Sequence, residues 1–128
     1  MIIDSSAILA ILFEEPDANR FEDTIAAAWP RRMSAVALVE AAMVLEGRGG
    51  AEAGHDLDAF LKRTRIELVP VTAEQANAAR QAWRRFGKGN HPAALNFGDC
   101  FAYALAAVTG EPLLFKGEDF ALTDIEAA

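Results

Sequence analysis

The chain opens on a short apolar step, Ile2-Ile3, which Asp4 interrupts before apolar residues resume at Ala7 and run to Phe13. That pattern reads as a short buried strand feeding a helix, with Ser5 or Ser6 able to cap it. Pro16 ends this helix, and a second from Asp17 to Trp29 stops at Pro30, because proline lacks the N–H a helix interior needs. Met33 to Ala35 predicts a second strand, and Val36 to Glu46 a helix that Gly47, Gly49 and Gly50 close. Leu57, Phe60 and Leu61 mark a fourth helix. Ile66 to Val71 is the clearest β-rich run, with Pro70 placing its end or a sheet edge there. Thr72 caps a helix to Phe86 whose inner stripe is Ala76, Ala79, Trp83 and Phe86. Phe97 to Val108 forms a further helix closed by Gly110, Leu113 to Phe115 another strand, and Asp124-Ile125 a last fragment.

Short apolar strands alternating with helices predict an α/β fold, a parallel sheet covered on both faces. The expectation is one domain over residues 1–128, without linker, repeat or low-complexity segment. Ligands of such folds bind beyond the carboxyl ends of the strands. Asp4 sits at that end of the first strand, so it points to the mouth of the sheet rather than into the core.

Composition narrows the chemistry. Hydrophobic residues make up 52% of the 128 residues, enough for a real core. Asp4, Glu40 and Asp99 break the longest apolar runs, so none spans a bilayer. No basic stretch precedes the first apolar segment and no small-residue cleavage site follows it, so the chain is read as cytoplasmic. Cys100 is the only cysteine, which excludes an intramolecular disulfide and a cysteine-based zinc cluster. With only His55 and His91, a histidine metal site or a Ser-His-Asp triad is poorly supported. The net charge of -7 argues against indiscriminate nucleic-acid binding. Yet no Asp or Glu occurs from Gln75 to Gly98, a segment that holds Arg80, Arg84, Arg85 and Lys88.

Several acids occupy awkward positions. Glu40 lies inside SAVALVEAAMVLE, Asp99 heads the apolar LNFGDCFAYALA, and Asp119 follows the strand PLLF in the loop KGEDF. Each has a plain structural explanation: Asp4 can cap its helix, Asp99 can sit at a positive helix end, Glu40 can face solvent, and Asp119 can be a turn residue. Jointly these explanations require four coincidences near one end of one sheet. Lone buried carboxylates are unfavourable, and a shared cation accounts for all four. Oxygen-only ligands favour Mg²⁺, with Mn²⁺ as the other candidate.

The segments IIDSSAILAIL, SAVALVEAAMVL, ELVPVTAEQANAAR, GKGNHPAALNFGDCFAYALA and LLFKGEDFALTDI carry a resemblance along the whole chain. It resembles PIN-domain ribonucleases, specifically VapC-type toxins of type II toxin–antitoxin pairs. The resemblance implies a three-layer α/β/α PIN-like domain with a short, mostly parallel sheet, and a metal-dependent endoribonuclease. By position, Asp4, Glu40, Asp99 and Asp119 match the family's acidic quartet, which is both metal-binding and catalytic. Asp4 and Asp99 match the main metal ligands, Glu40 the third member, and Asp119 the fourth, with Glu118 and Asp124 near enough to share its role. Ser6 matches a hydroxyl residue that supports Asp4. The implied partners are RNA, a VapB-type antitoxin that masks the site, and a second copy in a homodimer. Arg80, Arg84, Arg85 and Lys88 are then candidate RNA-phosphate contacts, against the plain alternative of a solvated helix face.

Two other readings compete. A haloacid-dehalogenase-like phosphohydrolase also begins with a strand ending in Asp, and Lys116 offers its downstream lysine, but Ser6 stands where that chemistry wants a second Asp. A non-catalytic module would present the acids to a basic partner. Cys100 reads as a structural cysteine rather than a nucleophile, and His91 as part of its loop. The aromatic residues, among them Trp29, Trp83, Phe97 and Phe101, read as core or dimer packing.

Overall fold

A computed structural model describes residues 1–128. Four strands, β1 (Ile2–Ile3), β2 (Arg32–Ser34), β3 (Glu67–Val69) and β4 (Leu113–Leu114), form one sheet in the order β3-β2-β1-β4. Every pairing is parallel, with Ile2 opposite Arg32 and Leu113, and Ile3 opposite Leu114. Because side chains alternate along a strand, neighbours in sequence face opposite layers. Ile3, Met33 and Leu114 pack in one core cluster with α1 (Ser5–Leu12), α2 (Ala18–Ala27) and α3 (Ala35–Thr64). Ile2 and Leu113 pack in the other with α4 (Ala73–Phe86) and α5 (Phe97–Thr109). The result is the expected three-layer α/β/α arrangement.

The strand order reverses beside β1: β2 and β3 lie on one side of it, β4 on the other. Adjacent loops diverge at such a point and leave a crevice at the carboxyl ends. Asp4 leaves β1 and Asp119 follows β4 at that crevice.

Several boundaries differ from the sequence expectation. Gly47 and Gly49 do not end the third helix. The break falls at Gly50 instead, whose φ of 70° and ψ of -167° are non-helical, and it separates two helical segments within Ala35–Thr64, the second being the expected fourth helix. Isolated glycines weaken a helix by about 1 kcal/mol each, and packing outweighs that: Ala41 and Leu45 before the bend, and Leu57 and Phe60 after it, are buried in the same cluster. The α1 cap is Asp4 itself, not a serine. The second helix ends at Ala27, since Ala28 is already extended, with φ of -99° and ψ of 148°. The strand expected over Ile66 to Val71 shrinks to the edge strand β3, and Pro70 ends it. The buried stripe of α4 is Gln75, Ala79, Ala82 and Phe86, so Trp83 lies outside it. The expected terminal fragment is a single parallel bridge, Leu113 to Ala127. No helix is long and apolar enough to cross a membrane.

Candidate metal centre

β1 ends where Asp4 turns away from the sheet. The Asp4 N–H still donates to the Leu114 carbonyl at 2.9 Å, which ties the residue to the β1–β4 crevice. The residue is 2% exposed. Asp4 Oδ2 accepts the Ser6 N–H at 3.0 Å and so caps α1. Asp4 Oδ1 is buried with no hydrogen-bond partner. The capping explanation is therefore correct for one oxygen and leaves the other unexplained. Burial pushes the carboxyl above the usual range, and hydrogen bonds from Ser6 and Ser5 only partly offset this.

Ser6 has a second contact. Its Oγ accepts the Lys116 N–H at 2.9 Å, clipping the start of α1 to the segment after β4 that leads to Asp119.

Glu40 comes from the first half of α3, whose start Ser34 caps by accepting the Val36 N–H at 3.2 Å. The Glu40 carboxylate lies against Gly98: a Cβ added there would fall 1.9–2.2 Å from its three terminal atoms. Glu40 Oε1 is the second buried carboxylate oxygen without a partner. Its carboxyl is pushed up to about 7, first by burial and then by the charges of Asp4 and Asp99.

Asp99 lies in the first turn of α5. Its Oδ2 accepts the Asn96 N–H at 3.0 Å while the Asp99 N–H donates to Asn96 Oδ1 at 2.9 Å, a reciprocal capping box. Its carboxyl is pushed up to about 6, first by burial; the Asn96 hydrogen bond opposes this, and the charges of Asp4 and Asp119 add to it. Asp119 is exposed, at the head of the 3₁₀ turn Phe120–Leu122, and its side chain caps nothing.

Electrostatic influence links Asp4, Glu40 and Asp99, while Asp119 reaches only Asp99; no three of these carboxylates close on a single point as they stand, so an ion would have to draw them in. Glu40 is raised by Asp4 and Asp99, and Asp99 by Asp4 and Asp119. Neighbouring negative charge raises Glu40 and Asp99, and Asp4 and Glu40 each keep an unpartnered buried oxygen; hard oxygen donors of this kind suit a divalent cation.

Neighbouring residues sort differently. Asp124 accepts from the Tyr103 hydroxyl and from Arg85 at 3.2 Å, so it is engaged away from the quartet. Burial first, then that hydrogen bond, pushes Tyr103 up to about 12. Arg85, one of the four candidate phosphate contacts, is thereby paired, whereas Arg80, Arg84 and Lys88 are exposed and enter none of the ion pairs. The Lys116 ammonium turns to Glu15 and to Asp17, the latter at 3.1 Å, rather than to Asp4. Burial and then the Asp99 charge raise the Cys100 thiol, opposite to what a nucleophile needs. His91 packs edge-on to Phe86 at 5.1 Å, and its Nδ1 accepts the Ala93 N–H at 3.0 Å.

Sequence reasoning missed Gly98 and Asn96. The signals were present: a glycine in the first turn of a strongly apolar helix is unfavourable unless something needs its space, and Asn three residues before Asp is a capping pattern.

The sequence profile described as PIN domain matches residues 1–126. Ribonuclease VapC30 of Mycobacterium tuberculosis is 54% identical over 125 residues, which are 98% of this chain and 95% of that protein. Ribonuclease VapC of Mycolicibacterium smegmatis is 54% identical over 127 residues, 99% of this chain and 98% of that protein. Among solved structures, the Sarcin-Ricin loop cleaving toxin VapC20 of M. tuberculosis superposes with a TM-score of 0.79 at 18% identity, over 99% of this chain and 97% of that one. VapBC2 of Rickettsia felis, bound to a DNA fragment from its promoter, gives 0.77 at 14% identity, over 99% of this chain and 96% of that one.

Proposed function

The chain belongs to the PIN domain family, among its VapC ribonucleases, and on that premise we propose that it is the toxin of a toxin–antitoxin pair, an endoribonuclease dependent on Mg²⁺ or Mn²⁺. The observation that supports the metal assignment is the pair of buried, unpartnered oxygens, Asp4 Oδ1 and Glu40 Oε1, beside carboxylates whose charges raise Glu40 and Asp99. Asp4 and Asp99 hold the ion, and Glu40 and Asp119 complete the site directly or through water. A divalent cation at such a site supplies an activated water and neutralises phosphate charge without a histidine base.

The remaining groups position this set. Asp4 and Asp99 each commit one oxygen to a helix cap, so α1 and α5 hold their carboxyls rigid. Ser6 ties Asp4 to the segment carrying Asp119. Arg80 and Arg84, one turn apart on the exposed face of α4, take RNA phosphates with Lys88. Arg85 must first leave Asp124, and that exposed pair is worth at most about 1 kcal/mol. The partners are a cognate VapB-type antitoxin and, in a homodimer, a second copy. Val39 and Met43, one turn apart on α3 and 56% and 71% exposed, offer the second copy an apolar face.

The direct test is cleavage of cellular RNA by the purified protein with Mg²⁺, with Mn²⁺ and with chelator. Discrete metal-dependent cleavage supports the proposal. Silence from a folded, antitoxin-free protein in both metals favours a non-catalytic module.

Two substitutions refine it. Gly98→Ala places a methyl where the Glu40 carboxylate lies, and Glu40 is flexible enough to move aside. Thermal stability should change little, while turnover falls on the order of a hundredfold through misplacement of one ligand. Unchanged turnover would show that Glu40 need not sit there. The double variant Arg80→Ala/Arg84→Ala should weaken RNA binding and flatten the slope of log affinity against log salt by about 1.4, the value for two single-strand phosphate contacts. An unchanged slope would make α4 an ordinary solvated face.

A further inference from the structure

A groove of about 560 Å³ runs between α4 and α5, with Asn96 and Phe97 at its α5 end. Buried Ala79, Leu95 and Cys100 form its floor, and Trp83, Phe97 and Phe101 stand along it. Trp83 is 52% exposed and Phe97 75% exposed. Both are held in place. The Trp83 indole lies on Gly87, where an added Cβ would come within 2.5 Å of its Cδ1. Phe97 meets Phe101 edge to face, with centroids 5.0 Å apart.

Two observations identify the occupant. Arg80 and Lys88 line the same groove, and the ion pairs of the chain engage Arg20, Arg32, Arg85 and Lys116 instead. An apolar slot bearing two uncompensated cations suits a flat ring attached to anionic groups. Asn96 also lines the groove while its capping box holds Asp99, so the slot adjoins the residue that anchors one of the four acids. Asn96 Oδ1 is used in that box, which leaves the side-chain NH₂ to donate to a ring edge.

We propose that the α4–α5 groove is a nucleobase subsite, in which an unpaired base next to the cleaved phosphate stacks on Trp83 and Phe97 while Arg80 and Lys88 hold flanking phosphates. The assignment rests on the ribonuclease reading above. The volume is in the range of about 300–1,000 Å³ typical of small-ligand sites. A base can stack on protein aromatics only when it is splayed out of a duplex, so the site selects single-stranded or looped RNA.

Binding of short single-stranded RNAs, with 2-aminopurine walked through each position, tests this in an Asp4→Asn background that cannot cleave them. One position should change emission on binding, and Trp83→Ala and Phe97→Ala should each abolish that change and weaken binding on the order of tenfold or more. Trp83→Phe should restore both, and a duplex of the same sequence should bind more weakly. If both alanine variants keep wild-type affinity and emission while the Asp4-containing protein still cleaves RNA, the subsite is overturned and the ribonuclease reading stands. If the Asp4-containing protein neither cleaves nor binds any of these RNAs in either metal, both fail together. If the variants change from dimer to monomer on sedimentation with RNA affinity per site unchanged, a second copy of the chain fills the groove and the proposal is overturned.

Discussion

Asp4→Asn should lower RNA cleavage on the order of a thousandfold, corresponding to several kcal/mol of lost charge stabilisation by the metal. The fold should be kept. Asparagine caps helices as well as aspartate does, so the hydrogen bond from the Ser6 N–H survives with the amide oxygen in place of Oδ2. The amide NH₂ then occupies the place of the unpartnered Oδ1, within a set of carboxylates able to accept from it. A buried charge is removed at the same time, which relieves the repulsion that Asp4 exerts on Glu40 and Asp99. In chelator, the variant should therefore melt at or above the wild-type temperature. Single-turnover cleavage and thermal denaturation, made on one preparation, separate the two effects. Retained metal-dependent cleavage, or a large loss of stability, would show that Asp4 serves the fold and not the chemistry.

The second large effect is a coupling of stability to pH and metal. In the folded chain Glu40 is raised to about 7 and Asp99 to about 6, from ordinary values of 4.5 and 3.8. Between those limits the folded state holds protons that the unfolded state has released. Stability without metal therefore falls as pH rises through the window from about 4 to about 7, and levels off above it. Asp17, Glu111 and Asp124 have lowered values and act with the opposite sign at more acid pH, so the optimum lies on the acid side of neutrality. A divalent cation binds the deprotonated set and reverses the trend. At a hundred times its dissociation constant it adds about 2.7 kcal/mol, a rise in Tm of roughly 10 °C for a chain of this size. That rise should shrink steadily below about pH 6, where protons compete for the carboxylates. Melting curves across pH, in chelator and in Mn²⁺, give both quantities. Metal-free stability that climbs from weakly acid to alkaline pH would contradict the raised carboxyls, and a metal shift independent of pH would place the ion elsewhere.

Local pattern carried much of the architecture. Thr72 at the head of α4 and Gly110 closing α5 are local hydrogen-bond devices, and the residues that form them adjoin one another in the sequence. The misread elements are those that local pattern underdetermines. Of the glycines after Glu46, Gly47 and Gly49 are carried within the helix and Gly50 breaks it, and the helix that follows sets Leu57 and Phe60 on the same core as Ala41 and Leu45. Trp83 fits an apolar stripe by spacing, but Gln75 and Ala82 take the buried side, leaving the indole along the α4–α5 groove.

The alternation of short strands with helices and the family resemblance are legible in residue type and spacing, and through that resemblance so is the proposal of four carboxylates. Tertiary structure alone decided what those carboxylates share. Asp4 and Asp99 each have one oxygen committed to a local cap, a partner two or three residues away. The leftover Oδ1 of Asp4 and the leftover Oε1 of Glu40 against Gly98 depend on α3 and α5 meeting beside β1, and the engagement of Asp124 by Arg85 and Tyr103 depends on α4 and α5 meeting the C-terminal segment. No local spacing encodes either meeting. The first follows from a sheet order that reverses beside β1 and from burial that withholds water from oxygens tens of residues apart in the chain.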